Sequence, residues 1–253
     1  MDYCIETFGL TKDFGAFRAV DGLGLQVERG SFYGFLGPNG AGKSTTIKML
    51  TGLMGSSGGS ARILGHDMAK APLEIKKHIG VVPEDLCLFE NLTAREYLVF
   101  IGRMYLVAPK LVNDRCEELL ALMGLSDTGK TLVLEFSTGM RKKLALAAAL
   151  IHDPDLLFLD EPFEGIDAIA SRTIRNVLEQ IIHRGSTIFL TSHILEIVER
   201  LCTHVGIIRQ GKLAAQGSLE SLSQGSSLEE TFIRTVGEGE HAPVSLSWLE
   251  ANH

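Results

Sequence analysis

The sequence predicts an α/β protein: a mainly parallel sheet flanked by helices, with a strand-rich, antiparallel N-terminal part and a helical insert. Three patterns carry this expectation. Short apolar runs rich in Val, Ile and Phe crowd the chain up to Leu36, with turn residues between them. A glycine-rich turn then joins the run ending at Leu36 to a helical segment. From Leu156 onward, apolar strands alternate with helical patterns, the order that a parallel sheet with crossover helices requires.

Taken in order, strands are expected at Tyr3 to Phe8, Leu23 to Val27 and Ser31 to Leu36, then a helix over Ser44 to Leu53 and strands at Ala61 to Leu64 and Ile79 to Val82. Between Thr93 and Met123 the spacing becomes helical. Tyr97, Phe100, Ile101 and Met104 form one stripe, and Val112, Cys116, Leu119, Leu120 and Met123 form another. Thr93 caps the first helix, with Glu96 three residues on completing a capping box. The helical subdomain is assigned to about residues 88–150. Strands at Leu156 to Leu159, Thr187 to Leu190 and Val205 to Ile208 enclose helices at Ala170 to His183 and Glu196 to Leu201. One domain is expected over 1–236. Gly237 to His253, anchored only by Val244, Leu246, Trp248 and Leu249, reads as a loosely held tail.

A chain of 253 residues with 45% apolar content can build one large core with a small appended subdomain. Its net charge of -7 argues against a surface that coats nucleic acid, which needs clustered Lys and Arg, and leaves room only for a local basic patch, so no nucleic-acid partner is expected. Met1 to Leu10 carries Asp2 and Glu6 and reads as a strand, not as a basic segment leading into an apolar one, so a cytoplasmic location is expected. The longest apolar run, Leu144 to Ile151, is far short of the roughly 18–20 residues needed to cross a bilayer. A role at a membrane therefore requires a separate spanning partner. Cys4, Cys87, Cys116 and Cys202 are scattered, without a CxxC pair, and are read as reduced and mostly buried.

The segment Gly37-Pro38-Asn39-Gly40-Ala41-Gly42-Lys43-Ser44, followed by Thr45, matches GxxxxGK[ST] between a strand and a helix. Glycines let successive backbone N–H groups curl inward onto phosphate oxygens, and the helix N-terminus adds partial positive charge. Lys43 can then reach the β- and γ-phosphates, and Ser44 can ligate Mg²⁺. The expected α/β core is therefore of the P-loop NTPase type. Leu156-Leu157-Phe158-Leu159-Asp160-Glu161 is an apolar strand ending in two carboxylates. Adjacent residues at a strand end face different sides, which allows Asp160 to hold the metal shell while Glu161 faces an attacking water. His193 follows the apolar strand Thr187 to Leu190, at the carboxyl edge where ligands sit in such sheets.

Together these residues resemble the ATP-binding subunit of ABC transporters, to about Val236. The resemblance rests on GPNGAGKST at Gly37 to Thr45, VVPE at Val81 to Glu84, FSTGMRKKLALAAAL at Phe136 to Leu150, LLFLDEP at Leu156 to Pro162 and TSH at Thr191 to His193, in that family's order. It implies ATP and Mg²⁺ as cofactors, with Phe14 stacked on adenine, Glu161 as general base and His193 holding the γ-phosphate and water. It also implies a head-to-tail dimer. Ser137 and Gly139 would contact the partner's nucleotide, and Asp167 would lie in the loop that crosses to it. The partners implied are a transmembrane permease subunit and a second ATP-binding subunit, another copy of this chain in preference to a different one. The location implied is cytoplasmic and peripheral on the inner face of the cell membrane.

Two departures stand out. The family's usual LSGGQ signature is Phe136-Ser137-Thr138-Gly139-Met140, which keeps the hydroxyl and the second glycine. Glu84 stands where a glutamine that meets Mg²⁺ is usual; a carboxylate can also ligate the ion but adds charge near the triphosphate. Both departures, with Ser227-Leu228-Glu229-Glu230-Thr231-Phe232 near the end, resemble the exporter branch whose permease is a separate chain. A soluble ATPase acting on nucleic acid or ribosomes would call for coiled-coil inserts, tandem nucleotide domains or basic surfaces. A regulator that had lost catalysis would not keep Lys43, Asp160, Glu161 and His193 together.

Overall fold

The computed structural model describes residues 2–223 and 225–237. Of the expected tail, only Gly237 falls within that range; residues 238–253, with Val244, Leu246, Trp248 and Leu249, lie outside the described residues. In chain order the first half runs β1 (Tyr3–Phe14), β2 (Phe17–Leu23), β3 (Gln26–Glu28), β4 (Phe32–Leu36), α1 (Lys43–Leu50), β5 (Gly58–Ile63), β6 (His66–Asp67), α2 (Pro72–His78), β7 (Ile79–Val82), α3 (Ala94–Met104) and α4 (Pro109–Leu122). The second half runs α5 (Thr138–Leu150), β8 (Leu156–Asp160), α6 (Ala168–His183), β9 (Thr187–Ser192), α7 (Leu195–Leu201), β10 (His204–Arg209), β11 (Lys212–Ser218), α8 (Leu219–Ser223) and α9 (Leu228–Val236).

Two sheets form. The five N-terminal strands are antiparallel, ordered β2-β1-β5-β6 with β3 beside β1. The six-stranded sheet is ordered β11-β10-β4-β9-β8-β7, parallel except for the β10–β11 hairpin. Strands β4, β8 and β9 are buried along their whole length, which is why they read as continuous apolar runs without alternation. The pleat still divides their side chains between two cores. Tyr33, Phe35, Phe158 and Phe189 face the antiparallel sheet with Ile5, Leu23 and Ile63. Phe32, Leu36, Leu157, Leu159 and Leu190 face the helices, where Leu98, Cys116 and Leu120 of the insert join the same cluster. The insert thus shares its apolar contacts with the sheet, and its first helix carries the expected Thr93–Glu96 capping box.

Several expectations need correction. Strand β1 continues to Phe14, past Phe8, and β2, β11 and α2 are elements beyond those expected. The expected strand Leu23 to Val27 is broken. Thr7 on β1 is buried, donates its hydroxyl to the Leu23 carbonyl at 2.8 Å and accepts from the Leu25 N–H at 2.7 Å, so side-chain bonds stand there beside the backbone bond from the Thr7 N–H to the Leu25 carbonyl at 2.9 Å. Leu23, Leu25 and Val27 remain fully buried, so period-two apolarity persisted through a break in pairing. Helix α1 ends at Leu50, short of Leu53, because Gly52 turns into the left-handed region at φ 69°. The expectation that the cysteines are mostly buried holds, with Cys4, Cys116 and Cys202 buried and Cys87 exposed. Among the described residues no helix is long and apolar enough to cross a membrane.

Candidate functional site

The loop after β4 folds as its glycines demand. Gly42 sits at φ 110°, and a Cβ there would lie 2.6 Å from the Ala19 carbonyl, so only glycine admits both the turn and the approach. Gly37 is constrained differently: a Cβ would meet the Ile208 carbonyl at 2.5 Å. Lys43, at the start of α1, is buried and donates from Nζ to the Gly37 carbonyl at 2.9 Å and the Pro38 carbonyl at 3.5 Å. Thr46 secures the turn by donating to the Gly42 carbonyl at 2.8 Å. Ala41 is buried beneath the loop.

A cavity of about 460 Å³ opens above this loop. It is lined by Asn39, Gly40, Gly42, Lys43, Ser44 and Thr45, by Phe14, Phe17 and Ala19 from the antiparallel sheet, and by Glu84, Glu161, Glu164 and His193. Phe14 and Phe17 are directly opposed across the β1–β2 hairpin and are 46% and 62% exposed, so Phe14 is not a core residue.

Two carboxylates from the end of β8 reach different parts of the cavity. Asp160 is buried, and its Oδ1 accepts from Ser44 Oγ at 3.2 Å and from Thr191 Oγ1 at 2.5 Å. Glu161 is also buried, with Oε1 3.7 Å from Lys43 Nζ and Oε2 3.0 Å from His193 Nδ1. The pleat alone does not separate them, as the sequence argument had it. Asp160 is the last residue of the strand, and Glu161 adopts φ 48°, left-handed backbone that swings its side chain toward Lys43. That conformation is held by two bonds from the Glu161 N–H, to Thr191 Oγ1 at 3.1 Å and to the Thr191 carbonyl at 3.3 Å. Strain kept by such bonds is characteristic of functional sites.

Ser44, Asp160 and Glu84 bring together one hydroxyl and two carboxylates, with Glu84 Oε2 3.4 Å from Ser44 Oγ. These are the hard oxygen donors that Mg²⁺ takes. Among the described residues no group of three His, Cys, Asp or Glu side chains is arranged to hold a metal alone. The donor set therefore fits an ion that completes its shell with water and phosphate oxygens.

Ser137, Gly139 and Asp167 do not reach this cavity; they cluster at the head of α5. Ser137 caps α5 by accepting from the Met140 N–H at 3.3 Å. Asp167 caps α6 by accepting from the Ile169 and Ala170 N–H groups at 2.8 and 2.9 Å, which hold its carboxyl below the usual carboxylate range. Gly139 packs so tightly that a Cβ would lie 3.0 Å from Ala170 Cβ and 3.3 Å from Asp167 Oδ2. A larger groove of about 940 Å³ runs between the sheet and the insert, lined by residues from Glu84 to Leu92 with Phe100, Thr138 and Arg141. Glu84 lines both cavities.

Sequence reasoning had missed Phe17, Thr191 as a partner of the Asp160 carboxylate and the Glu161 backbone N–H, and Lys142, whose buried ammonium donates to the Glu161 carbonyl at 2.7 Å. The signal for Phe17 was there in Phe14-Gly15-Ala16-Phe17, two aromatics across a two-residue turn with Gly15 at φ 59°.

Comparison with known proteins agrees with this geometry. A model of the ABC transporter family matches residues 20–164. The chain is 39% identical over 230 residues to the daunorubicin/doxorubicin resistance ATP-binding protein DrrA of Streptomyces peucetius, covering 91% of this chain and 69% of that one. It is 41% identical to the bacitracin transport ATP-binding protein BcrA of Bacillus licheniformis, covering 88% and 72%. A solved ATP-binding subunit of an ABC transporter superposes with a TM-score of 0.86 at 30% identity, covering 92% of this chain and 99% of that one. A phosphate loop, a paired-carboxylate strand and a helical insert in this arrangement, matched over most of the chain's length, make it a member of the ABC transporter ATP-binding family.

Proposed function

We propose that the chain hydrolyses ATP as the energising subunit of an exporter-type ABC transporter. The observation that carries this reading is the constellation at the mouth of the phosphate loop, in which buried Lys43 and Glu161 meet the exposed His193. Lys43 and the loop N–H groups bind the β- and γ-phosphates, and Phe14 offers an exposed aromatic face to the base. Glu161 accepts the proton of the attacking water, while His193 orients that carboxylate and contacts the γ-phosphate. Ser44, Asp160 and Glu84 hold Mg²⁺, which when bound neutralises charge on the phosphate oxygens. Catalysis in this scheme is positioning and electrostatics.

Ser137 and Gly139 lie outside the cavity, which supports a second subunit completing the site. Two copies close head to tail, and Asp167 lies at the crossing. A solved ATP-binding cassette of the same fold, with a TM-score of 0.78 and 20% identity, is dimeric and bound to ADP and Pi. The groove beside the insert receives a cytosolic loop of the permease, and Glu84, common to groove and nucleotide cavity, links the two. DrrA and BcrA are named for drug resistance and bacitracin transport, which favours export. The reading implies one domain over 1–236 with a helical subdomain at about 88–150, and a location on the cytoplasmic face of the membrane.

Purified protein carrying Glu161→Gln tests the mechanism. With ATP and Mg²⁺ it should lose all but a residual turnover, retain nucleotide and accumulate as a dimer by size-exclusion chromatography; turnover at the wild-type rate would remove Glu161 from the role of base. Recovery of a multi-span protein from detergent-solubilised membranes tests the transport reading, which recovery of ribosomes or DNA instead would overturn.

A further inference from the structure

Lys142 is a buried lysine that no step above uses. It sits in the second turn of α5, 8% exposed, and its Nζ donates to the backbone carbonyl of Glu161 at 2.7 Å. Fully buried lysines are rare because removing the ammonium from water is costly. Burial pushes the Lys142 ammonium pKa down, and the charges of Glu164, Glu161 and Glu84 oppose that shift. A methionine or leucine would fill the same space without this cost. The retained amine therefore needs a function that its one strong hydrogen bond can supply.

The bond falls on the strained residue of the site. Glu161 occupies left-handed backbone, and its carbonyl accepts from Lys142 Nζ and, at 3.3 Å, from the Glu164 N–H, which closes the turn after β8. Thr191 holds the N–H side of the same residue. Glu161 is thus pinned from both sides in a conformation that a non-glycine residue adopts only when its surroundings impose it. Thr191 belongs to β9, the sheet neighbour of the strand that Glu161 follows. Lys142 belongs to the helix headed by Ser137 and Gly139.

We propose that Lys142 is a positioning residue for Glu161, tying the catalytic carboxylate of each subunit to the signature helix of that same subunit. This rests on the reading of Glu161 as general base. The head of α5 is the part of the subunit that meets the partner's nucleotide. Gly139 and Lys142 are three residues apart and lie on one face of the helix, so a displacement of its head is carried through one turn to the Glu161 carbonyl. Each ATP site is then aware of the other through one side chain.

The test uses the full chain. Lys142→Met should lower kcat for ATP hydrolysis about tenfold or more, because sub-ångström displacement of a reacting group suffices for that, while KM and the Kd for a fluorescent ATP analogue stay within about twofold. Lys142→Arg should restore kcat to within about threefold, since it keeps charge and donor. Lys142→Met added to Glu161→Gln should lower the residual rate no further, because the lysine acts through that carboxylate. If Lys142→Met fails to fold, Lys142→Gln carries the same expectation. An unchanged kcat in either variant, a loss of nucleotide binding in step with kcat, or an additive double variant would overturn the proposal while leaving Glu161 as base. Full activity of Glu161→Gln would instead overturn the reading beneath it.

Discussion

Lys43 Nζ and Glu161 Oε1 lie 3.7 Å apart, and both side chains are about 7% exposed. The lysine that binds phosphate and the carboxylate that activates water are therefore each other's counter-ions before nucleotide arrives. Binding of ATP must draw Lys43 toward the phosphates, which leaves Glu161 with His193 and the water. Lys43→Ala should therefore do two things. It should weaken ATP binding by about a hundredfold, and it should destabilise the nucleotide-free protein by about 1–3 kcal/mol, because Glu161 is left buried without its cation. Nucleotide titration and urea unfolding measure the two effects separately. Lys43→Ala with unchanged unfolding would show that the pair contributes nothing before ATP binds.

Glu84 gives a second prediction. Its Oε2 is 3.4 Å from Ser44 Oγ, where the phosphates and metal are proposed to sit. Without metal, its charge repels the triphosphate. Glu84→Gln should tighten ATP binding in EDTA by about fivefold, corresponding to about 1 kcal/mol of Coulomb repulsion in a partly exposed site. With excess Mg²⁺ the difference should shrink, since the wild-type carboxylate then contributes a ligand. Equal affinities of the two proteins in EDTA would place Glu84 outside the metal and phosphate shell.

The opposed Phe14 and Phe17 lead to a third. Lys12 Nζ stands 5.3 Å from the centroid of the Phe14 ring, so a base stacking on Phe14 takes the other face. Phe14→Ala should weaken ATP binding by about 1–3 kcal/mol, the usual range for base stacking on an aromatic, and Phe17→Ala by less. Neither variant should alter binding of inorganic tripolyphosphate, which has no base. Equal losses for ATP and tripolyphosphate would mean that the aromatics support the loop and not the base.

Much of the site was legible because its chemistry is written in consecutive residues. The phosphate loop and the Asp160-Glu161 pair need no tertiary knowledge, and β4, β8 and β9 announce themselves as buried runs. What escaped depends on contacts between distant segments. The break after Leu23 follows from Thr7, a polar residue on another strand. Lys142 stands in a basic stretch, Arg141-Lys142-Lys143, and only the approach of α5 to the end of β8 distinguishes it. Asp167 was expected at a subunit crossing; in the chain itself it is also a helix cap, a role its sequence position before α6 could have shown.

His152 offers a prediction about stability, independent of nucleotide. It stacks on Tyr105 with ring centroids 3.7 Å apart, and its Nε2 lies 3.0 Å from the Ile79 carbonyl, so α3, the end of α5 and β7 meet at one ring. With Nε2–H as the donor, Nδ1 is buried without a hydrogen-bond partner. Burial pushes the imidazole pKa down to about 4 from 6.5; the Ile79 carbonyl and Asp153 oppose that shift, while Arg115 and His78 add to it. The unfolded chain thus binds a proton between pH 6.5 and about 4 that the folded chain refuses, and stability must fall as pH drops through that window. At about 1.4 kcal/mol per pH unit, this group removes about 3 kcal/mol by the lower end. His152→Phe keeps a ring against Tyr105 but cannot titrate, so its urea-unfolding free energy should fall less steeply between pH 6.5 and 4 than that of the wild type, even if it starts lower for lack of the bond to Ile79. Parallel slopes for the two proteins would mean that His152 is protonated as readily in the fold as in water.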